Sequence, residues 1–306
     1  MRFFITEQEN GKTVRSFLRA NGVSAALSAK LKRRPNGMML NGVHVTVRAV
    51  LKTGDELFLA IEDEEKNEKI VPLEEEVDIL LETPEYVVVN KPPFMPTHPS
   101  HGHYTDSLAN ALVWHYRDVE GFRPRFTNRL DRNTTGAVLM AKNALAASKL
   151  AAAMAAGKIE KTYYAVVCGT IERETVLKTG IRRQSESVIF REVCAEGEGD
   201  IAITHVKPLL TKNGYTLVHL APQTGRTHQL RVHMAYLGTP IVGDDFYGEA
   251  SPLLARHALH AATLAFPDPI NGETVRVFAP VSPDMSSLIE NLFGKEALKY
   301  FERESH

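Results

Sequence analysis

The chain has 306 residues, 43% of them apolar and 24% charged, with a net charge of −1. This is the composition of a soluble globular protein with room for one large domain and a small one. No apolar run reaches the roughly 18 residues of a membrane span, and the opening MRFFITEQEN lacks the basic-then-apolar layout of a secretory leader. Two cysteines, Cys168 and Cys194, make neither a disulfide framework nor a CxxC motif, so a cytoplasmic chain without structural disulfides is expected.

Charge is unevenly spread along the chain. Residues 1–61 hold 10 Lys/Arg against 4 Asp/Glu, and the remainder holds 26 against 33. A basic module on a mildly acidic body points to a polyanionic partner, though a basic domain needs none. Within this module Thr13 caps a predicted helix to about Ala20, with Val14, Phe17 and Leu18 on one face. Ser24 caps a second, AALSAKLKRR, ended by Pro35 and Gly37. This helix finishes on Lys30, Lys32, Arg33 and Arg34, a cluster suited to phosphates or simply to solvent. Asn41-Gly42 reads as a hairpin turn, and GDELFLAIE closes a small sheet.

The run EDEEKNEK at 62–69 has no apolar anchor and predicts a linker over 62–75, with a larger domain over 76–306. There EYVVVN, GAVLMAKN, TYYAVVCG and YTLVHLAP read as strands. DSLANALVWHYRD, ALAASKLAAAMAAG, TGRTHQLRVHMAYLG and a segment near 283–293 read as helices. Regular helical crossovers are missing, so α+β with a mixed sheet is expected rather than a doubly wound fold.

Asp131, in NRLDRNTTG, sits in a predicted turn between Arg129 and Arg132. The arginines keep it ionised, which suits a salt-bridged turn and a nucleophile equally. GRTHQLRVHM gathers Arg226, His228, Gln229, Arg231 and His233 at a helix start. An arginine beside the apolar Leu230, Met234 and Leu237 needs a carboxylate partner. His98, His101 and His103 lack a familiar metal spacing, so no metal is expected. Alternation sends Tyr163 and Tyr164 to opposite faces, so one of them at most faces a given cleft. GxSxG, GxGxxG, P-loop and HExxH motifs do not occur.

Five ordered blocks together resemble the RluA-like family of RNA pseudouridine synthases. They are VVVNKPPFMPTHPS, NRLDRNTTGAVLMAKN, KTYYAVVCG, GRTHQLRVHMAYLGTPIVGDDFYG and RHALHAATLAFPDP. The resemblance covers roughly residues 80–280. It implies a catalytic domain with a largely antiparallel mixed sheet, and residues 1–61 resemble a small α/β RNA-binding module of ribosomal-protein type. It also implies Asp131 as catalytic aspartate, Tyr163 as the tyrosine against the target base, Arg231 as the basic residue pairing with the aspartate, and Arg129 as an arginine that displaces the base. Arg132, Arg226, His228 and Gln229 join the implied RNA contacts.

The implied isomerisation is neither redox nor hydrolytic, so no cofactor is expected. The implied partner is RNA, ribosomal before transfer RNA, bound by a monomer. Two rival readings are a non-catalytic RNA assembly factor and a hydrolase using Asp131. The sequence departs from the family pattern at Asn128, where His is usual, at Asn133, where Asp is common, and in GFRPRFTN, which lacks the usual Gly before the signature.

Overall fold

The computed structural model describes residues 1–61, 70–185, 189–195 and 197–302. The charge run 62–69, at the heart of the expected linker, lies outside the described residues. Near the N-terminus the side chain of Thr13 accepts a hydrogen bond from the Ser16 amide and starts α1 (Val14–Ala20). Ser24 accepts from the Leu27 amide and starts α2 (Ala25–Arg33). Strands β1 (Arg2–Phe4), β2 (Met38–Leu40), β3 (Val43–His44) and β4 (Glu56–Leu59) make an antiparallel sheet ordered β1-β4-β2-β3. Asn41 and Gly42 take positive φ, 50° and 79°, in the β2–β3 turn. Phe17, Leu18, Leu31, Met38, Leu57 and Leu59 form the core between helices and sheet.

Eleven strands of the described residues form the large sheet. They are β5 (Ile79–Glu82), β6 (Tyr86–Lys91), β7 (Arg125–Phe126), β8 (Thr135–Ala141), β9 (Glu160–Cys168), β10 (Thr175–Arg183), β11 (Arg191–Cys194), β12 (Asp200–Lys212), β13 (Tyr215–Pro222), β14 (Leu259–Pro267) and β15 (Thr274–Phe278). The order is β11-β10-β12-β13-β9-β14-β8-β6-β5, with β7 on β8 and β15 on β14. Every pairing is antiparallel except β8 with β14, so the sheet is mixed and the class is α+β, as expected. Pro208 interrupts β12 beyond its last β10 partner, Val206, at a register shift, where a missing N–H costs no ladder bond.

The helices α3 (Leu108–His115), α4 (Ala144–Ala155), α5 (Gln229–Tyr236), α6 (Pro283–Phe293) and α7 (Lys299–Glu302) complete the fold. The central strands are apolar throughout because both faces are covered. Along β6, Val87 and Val89 join a core with Leu112, Met234 and Leu288, while Tyr86 and Val88 join Leu150 and Ala146 on the other side. The α4 helix also serves the N-terminal sheet domain. Leu145 enters that core, and the Ser148 hydroxyl donates to Gly22 O at 2.9 Å and accepts from the Ser24 amide at 3.0 Å.

Two expectations change. The helix expected from Thr224 starts only at Gln229, because His228 adopts a left-handed conformation with φ 57° and the residues before it form a loop. Part of the expected linker is tied down, since Asn110 of α3 donates to Val71 O at 2.7 Å and accepts, through its carbonyl, from the Leu73 amide. No helix among the described residues is long and apolar enough to cross a membrane.

Candidate active site

A cleft of about 580 Å³ opens between the turn before β8, the face of β9 and the start of α5. It brings together Arg129, Asp131, Tyr163, Arg226, His228, Gln229 and Arg231 from three separate sequence blocks. Arg132 does not line it; this side chain is exposed and its Nε donates to Phe94 O at 3.1 Å. Lys30, Lys32 and Arg33 lie exposed at the end of α2, and Arg34 donates to Ala60 O.

The Asp131 turn is fixed from behind through its backbone. The Thr134 amide donates to Asp131 O, and Leu130 is held at both N and O by the Thr97 hydroxyl. The buried Lys91 ammonium donates to the carbonyls of Pro92, Met95 and Arg132. Burial drives its pKa down to about 7, against the pull of the Asp131 charge, while three carbonyl acceptors match the three donors of the charged form. Arg256, fully buried, binds Asp284 through two hydrogen bonds of 2.7 and 3.0 Å and gives its remaining nitrogen to Asn133 O. Thr134 and Thr135 bond His257 and His260, both at 2.8 Å. Gly136 has no room for a side chain, since a Cβ there would stand 2.1 Å from Ala261 O where β8 and β14 run parallel.

Asn128 has a role in this turn. Its amide donates to Ala137 O and its carbonyl accepts from the Leu139 amide, at 3.1 and 2.8 Å. The side chain thus acts as one more rung on β8, next to the short β7 ladder. The family's histidine is replaced by a group that pairs with backbone on both its atoms. Among the described residues the buried Asn133 Oδ1 has no hydrogen-bond partner.

Arg231 is held differently. Its Nε and Nη2 donate to the two oxygens of Asp244, each at 2.7 Å, and both side chains are buried. The expected pairing with Asp131 is present but longer, with Nη1 to Oδ2 at 3.4 Å. The expectation of a carboxylate partner is therefore met chiefly by Asp244. Sequence reasoning did not single out this residue, although the need of a buried guanidinium for a carboxylate was its signal. The rings of Phe246 and Tyr247 lie 5.1 and 5.2 Å from the guanidinium carbon. Burial opposes the charge of Arg231, but Asp244 and Asp131 more than offset it and raise its pKa.

His228 Nδ1 lies 2.8 Å from the Tyr247 hydroxyl, and its Nε2 stands 3.9 Å from Asp131. Burial lowers its pKa, which favours the neutral ring. Tyr163 is almost wholly buried, and burial together with the Asp131 charge raises the pKa of its phenol, so it stays protonated. Tyr164, on the opposite face of β9, packs on Phe301 and donates to Tyr300 O. Gln229 differs from its expected RNA contact. It is buried, its amide nitrogen donates to Ile203 O and the Thr204 hydroxyl, and its oxygen accepts from Thr224 and the Arg226 amide. Its hydrogen bonds hold the loop before α5.

Of the histidines near residue 100, His98 packs on Phe126 and His103 pairs with Asp106. Among the described residues no group of three or more His, Cys, Asp or Glu is placed to hold a metal ion. The cleft holds the Asp131 carboxyl with the buried Arg231 cation at one oxygen and a protonated phenol near by. This arrangement suits attack on, or proton removal from, an electrophilic sugar or base.

Known proteins are similar to this chain in sequence and fold. The profile of the RNA pseudouridylate synthase family matches residues 85–236. The chain is 37% identical to the uncharacterized RNA pseudouridine synthase YjbO of Bacillus subtilis, over 91% of this chain and 98% of that protein. It is 34% identical to ribosomal large subunit pseudouridine synthase D of Vibrio parahaemolyticus, over 83% of this chain and 82% of that one. A solved structure, human RNA pseudouridylate synthase domain containing 1, superposes with a TM-score of 0.59 at 30% identity and covers 71% of this chain and 89% of its own. With likeness over nearly the whole chain and the family's blocks converging on one cleft, this protein belongs to the RluA-like family of RNA pseudouridine synthases.

Proposed function

We propose that this synthase isomerises specific uridines of large-subunit ribosomal RNA, with Asp131 as the reacting carboxylate after the base is flipped out. The observation that carries the reading is the state of Asp131. Its carboxylate faces the cleft with one long hydrogen bond to Arg231, while the turn that carries it is held through the backbone of residues 130–133. A carboxylate held this way is placed without being consumed by its supports. Three routes use it, namely attack at the anomeric carbon, attack at the ring carbon beside the glycosidic nitrogen, or removal of the 2′ proton to give a glycal.

In this reading Tyr163 stacks on the uracil and holds it while the carbon–carbon bond forms. Arg231 holds one oxygen of Asp131 through its 3.4 Å contact. Flipping a helical uridine costs a few kcal/mol, and the exposed Arg129 at the cleft edge fills the vacated stack with its planar guanidinium. Residues 1–61 form the RNA-binding module, whose basic α2 end, Lys30 to Arg34, grips phosphates. Ribosomal RNA is favoured by the name of the large-subunit relative and by this module. Transfer RNA is the alternative substrate. The working protein is taken as a cytoplasmic monomer.

Asp131→Asn is expected to abolish tritium release from uridine-labelled RNA while RNA binding persists. Full activity in that variant overturns the assignment. Mapping pseudouridines in total RNA of a deletion strain identifies the substrate, and loss confined to transfer RNA overturns the ribosomal choice.

A further inference from the structure

Lys161 lines the same cleft and is given no role by the arrangement above. It is 9% exposed, so nine-tenths of it is buried. Two residues before Tyr163 on β9, it projects from the same face, about 7 Å along the strand. Its ammonium lies 3.6 Å from where a Cβ on Gly225 would stand, beside the loop that leads into α5. Among the described residues it takes part in no hydrogen bond and no ion pair. Lys91, Arg231 and Arg256, other buried cations in or behind the cleft, are paired with carbonyls or carboxylates. Lys161 is not. Burial lowers its pKa, and no carboxylate offsets that effect.

A lysine nine-tenths buried, whose ammonium has no protein partner and faces the cleft, is costly to keep charged, and an anion arriving with the ligand relieves the cost. The site's ligand chemistry limits what that anion is. An RNA nucleotide places one negative group, the phosphate, a sugar's width from the base. In the proposed reading Tyr163 marks the base end of the cleft, and Lys161 lies about 7 Å along the same strand face, in a lining shared with Met154, Gly157 and Gly225.

We propose that Lys161 is the anchor for a backbone phosphate next to the flipped uridine, and that it sets the depth to which the nucleotide enters. The proposal rests on the reading of the cleft as the uridine site. Its chemistry is a single charge-assisted contact, in contrast to the exposed arginines at the cleft edge.

The test compares the full-length protein with Lys161→Met and Lys161→Arg on transcribed large-subunit ribosomal RNA and on a transfer RNA pool. If the wild type releases no tritium from either RNA, the reading of the cleft fails, independently of Lys161. With an active wild type, Lys161→Met is expected to raise KM about tenfold with kcat within about threefold. The slope of log Kd against log salt is expected to fall by about 0.7–1, the signature of one lost phosphate contact. Lys161→Arg is expected to restore most of the affinity. The Tm of Lys161→Met is expected to hold or rise, because an unpaired buried charge is removed. A lower Tm with an unchanged salt slope makes the lysine structural and overturns the proposal. A collapse of kcat with unchanged KM also overturns it, as does activity equal to wild type.

Discussion

The two walls of the cleft are built on opposite plans. On the aspartate wall, buried cations and neutral histidines grip carbonyls and threonine hydroxyls, and the Asp131 carboxylate keeps one long contact. On the arginine wall the functional charge itself is gripped, with Arg231 bound at two nitrogens by Asp244 and faced by two rings. In the proposed reading, the group that reacts sits in a turn positioned through its backbone, so that its lone pairs remain available. A group that must only supply a field is best fixed by its own hydrogen bonds, since rigidity costs it nothing in reactivity.

The sharpest way to break this contrast is Asp244→Ala. It leaves the Arg231 guanidinium buried with half its partners, and the chain is expected to lose about 3–5 kcal/mol by denaturant unfolding. The freed guanidinium turns to Asp131, and kcat is expected to fall on the order of 100-fold. A variant with wild-type stability sinks the clamp assigned to Asp244.

The aspartate wall has its own weak point, acid. His260 is fully buried, and burial brings its pKa down to about 4, as it does for His233. Between pH 6.5 and 4 the unfolded chain holds protons there that the folded chain excludes. Stability therefore rises with pH across that window and is lost as pH falls through it. For His260 the full shift corresponds to roughly 3 kcal/mol. Urea titrations from pH 7 to 4 are expected to show the loss, and His260→Gln to show a slope shallower by up to about 1.4 kcal/mol per pH unit. An unchanged slope counts against a neutral histidine behind the turn.

Smaller effects sharpen the comparison. Asn128→Ala removes two backbone contacts and is expected to cost about 1–2 kcal/mol, with kcat reduced more than KM because Asp131 shifts. An equal effect on RNA binding shows that Asn128 touches RNA instead. Phe94, 47% exposed, holds a φ of 63° beside Arg132. Phe94→Gly is expected to gain about 1 kcal/mol in Tm-derived stability by relieving that left-handed strain. A loss there means the exposed ring is packed more tightly than its surface suggests.

Much of this was readable from residues alone, where local physics decides. The Thr13 and Ser24 caps, the Asn41-Gly42 turn and the unbroken apolar strand in EYVVVN needed no distant partner to be recognised. The arm from β10 to β12 escaped the reading. Its segments are half polar, interrupted by Pro208, and become strands through pairing with each other and with β13. The start of α5 was misplaced because His228 carries a conformation that its type permits but does not announce. Asp131, Tyr163 and Arg231 were named from motifs, whereas Asp244, Lys91 and Arg256 needed the fold. Their importance lies in what they hold across 13 residues of sequence, 41 residues and 123 residues respectively.

The α4 helix touches both parts of the molecule. Leu145 and Ser148 meet the N-terminal domain, and Met154 and Ala155, about 10 Å further along the helix, form part of the cleft lining. A single helix therefore spans the distance between the basic α2 helix and the Asp131 cleft. Under the proposed function α4 is a ruler, and changing its length or tilt is expected to change which nucleotide, counted from the stretch of RNA held by α2, reaches Asp131.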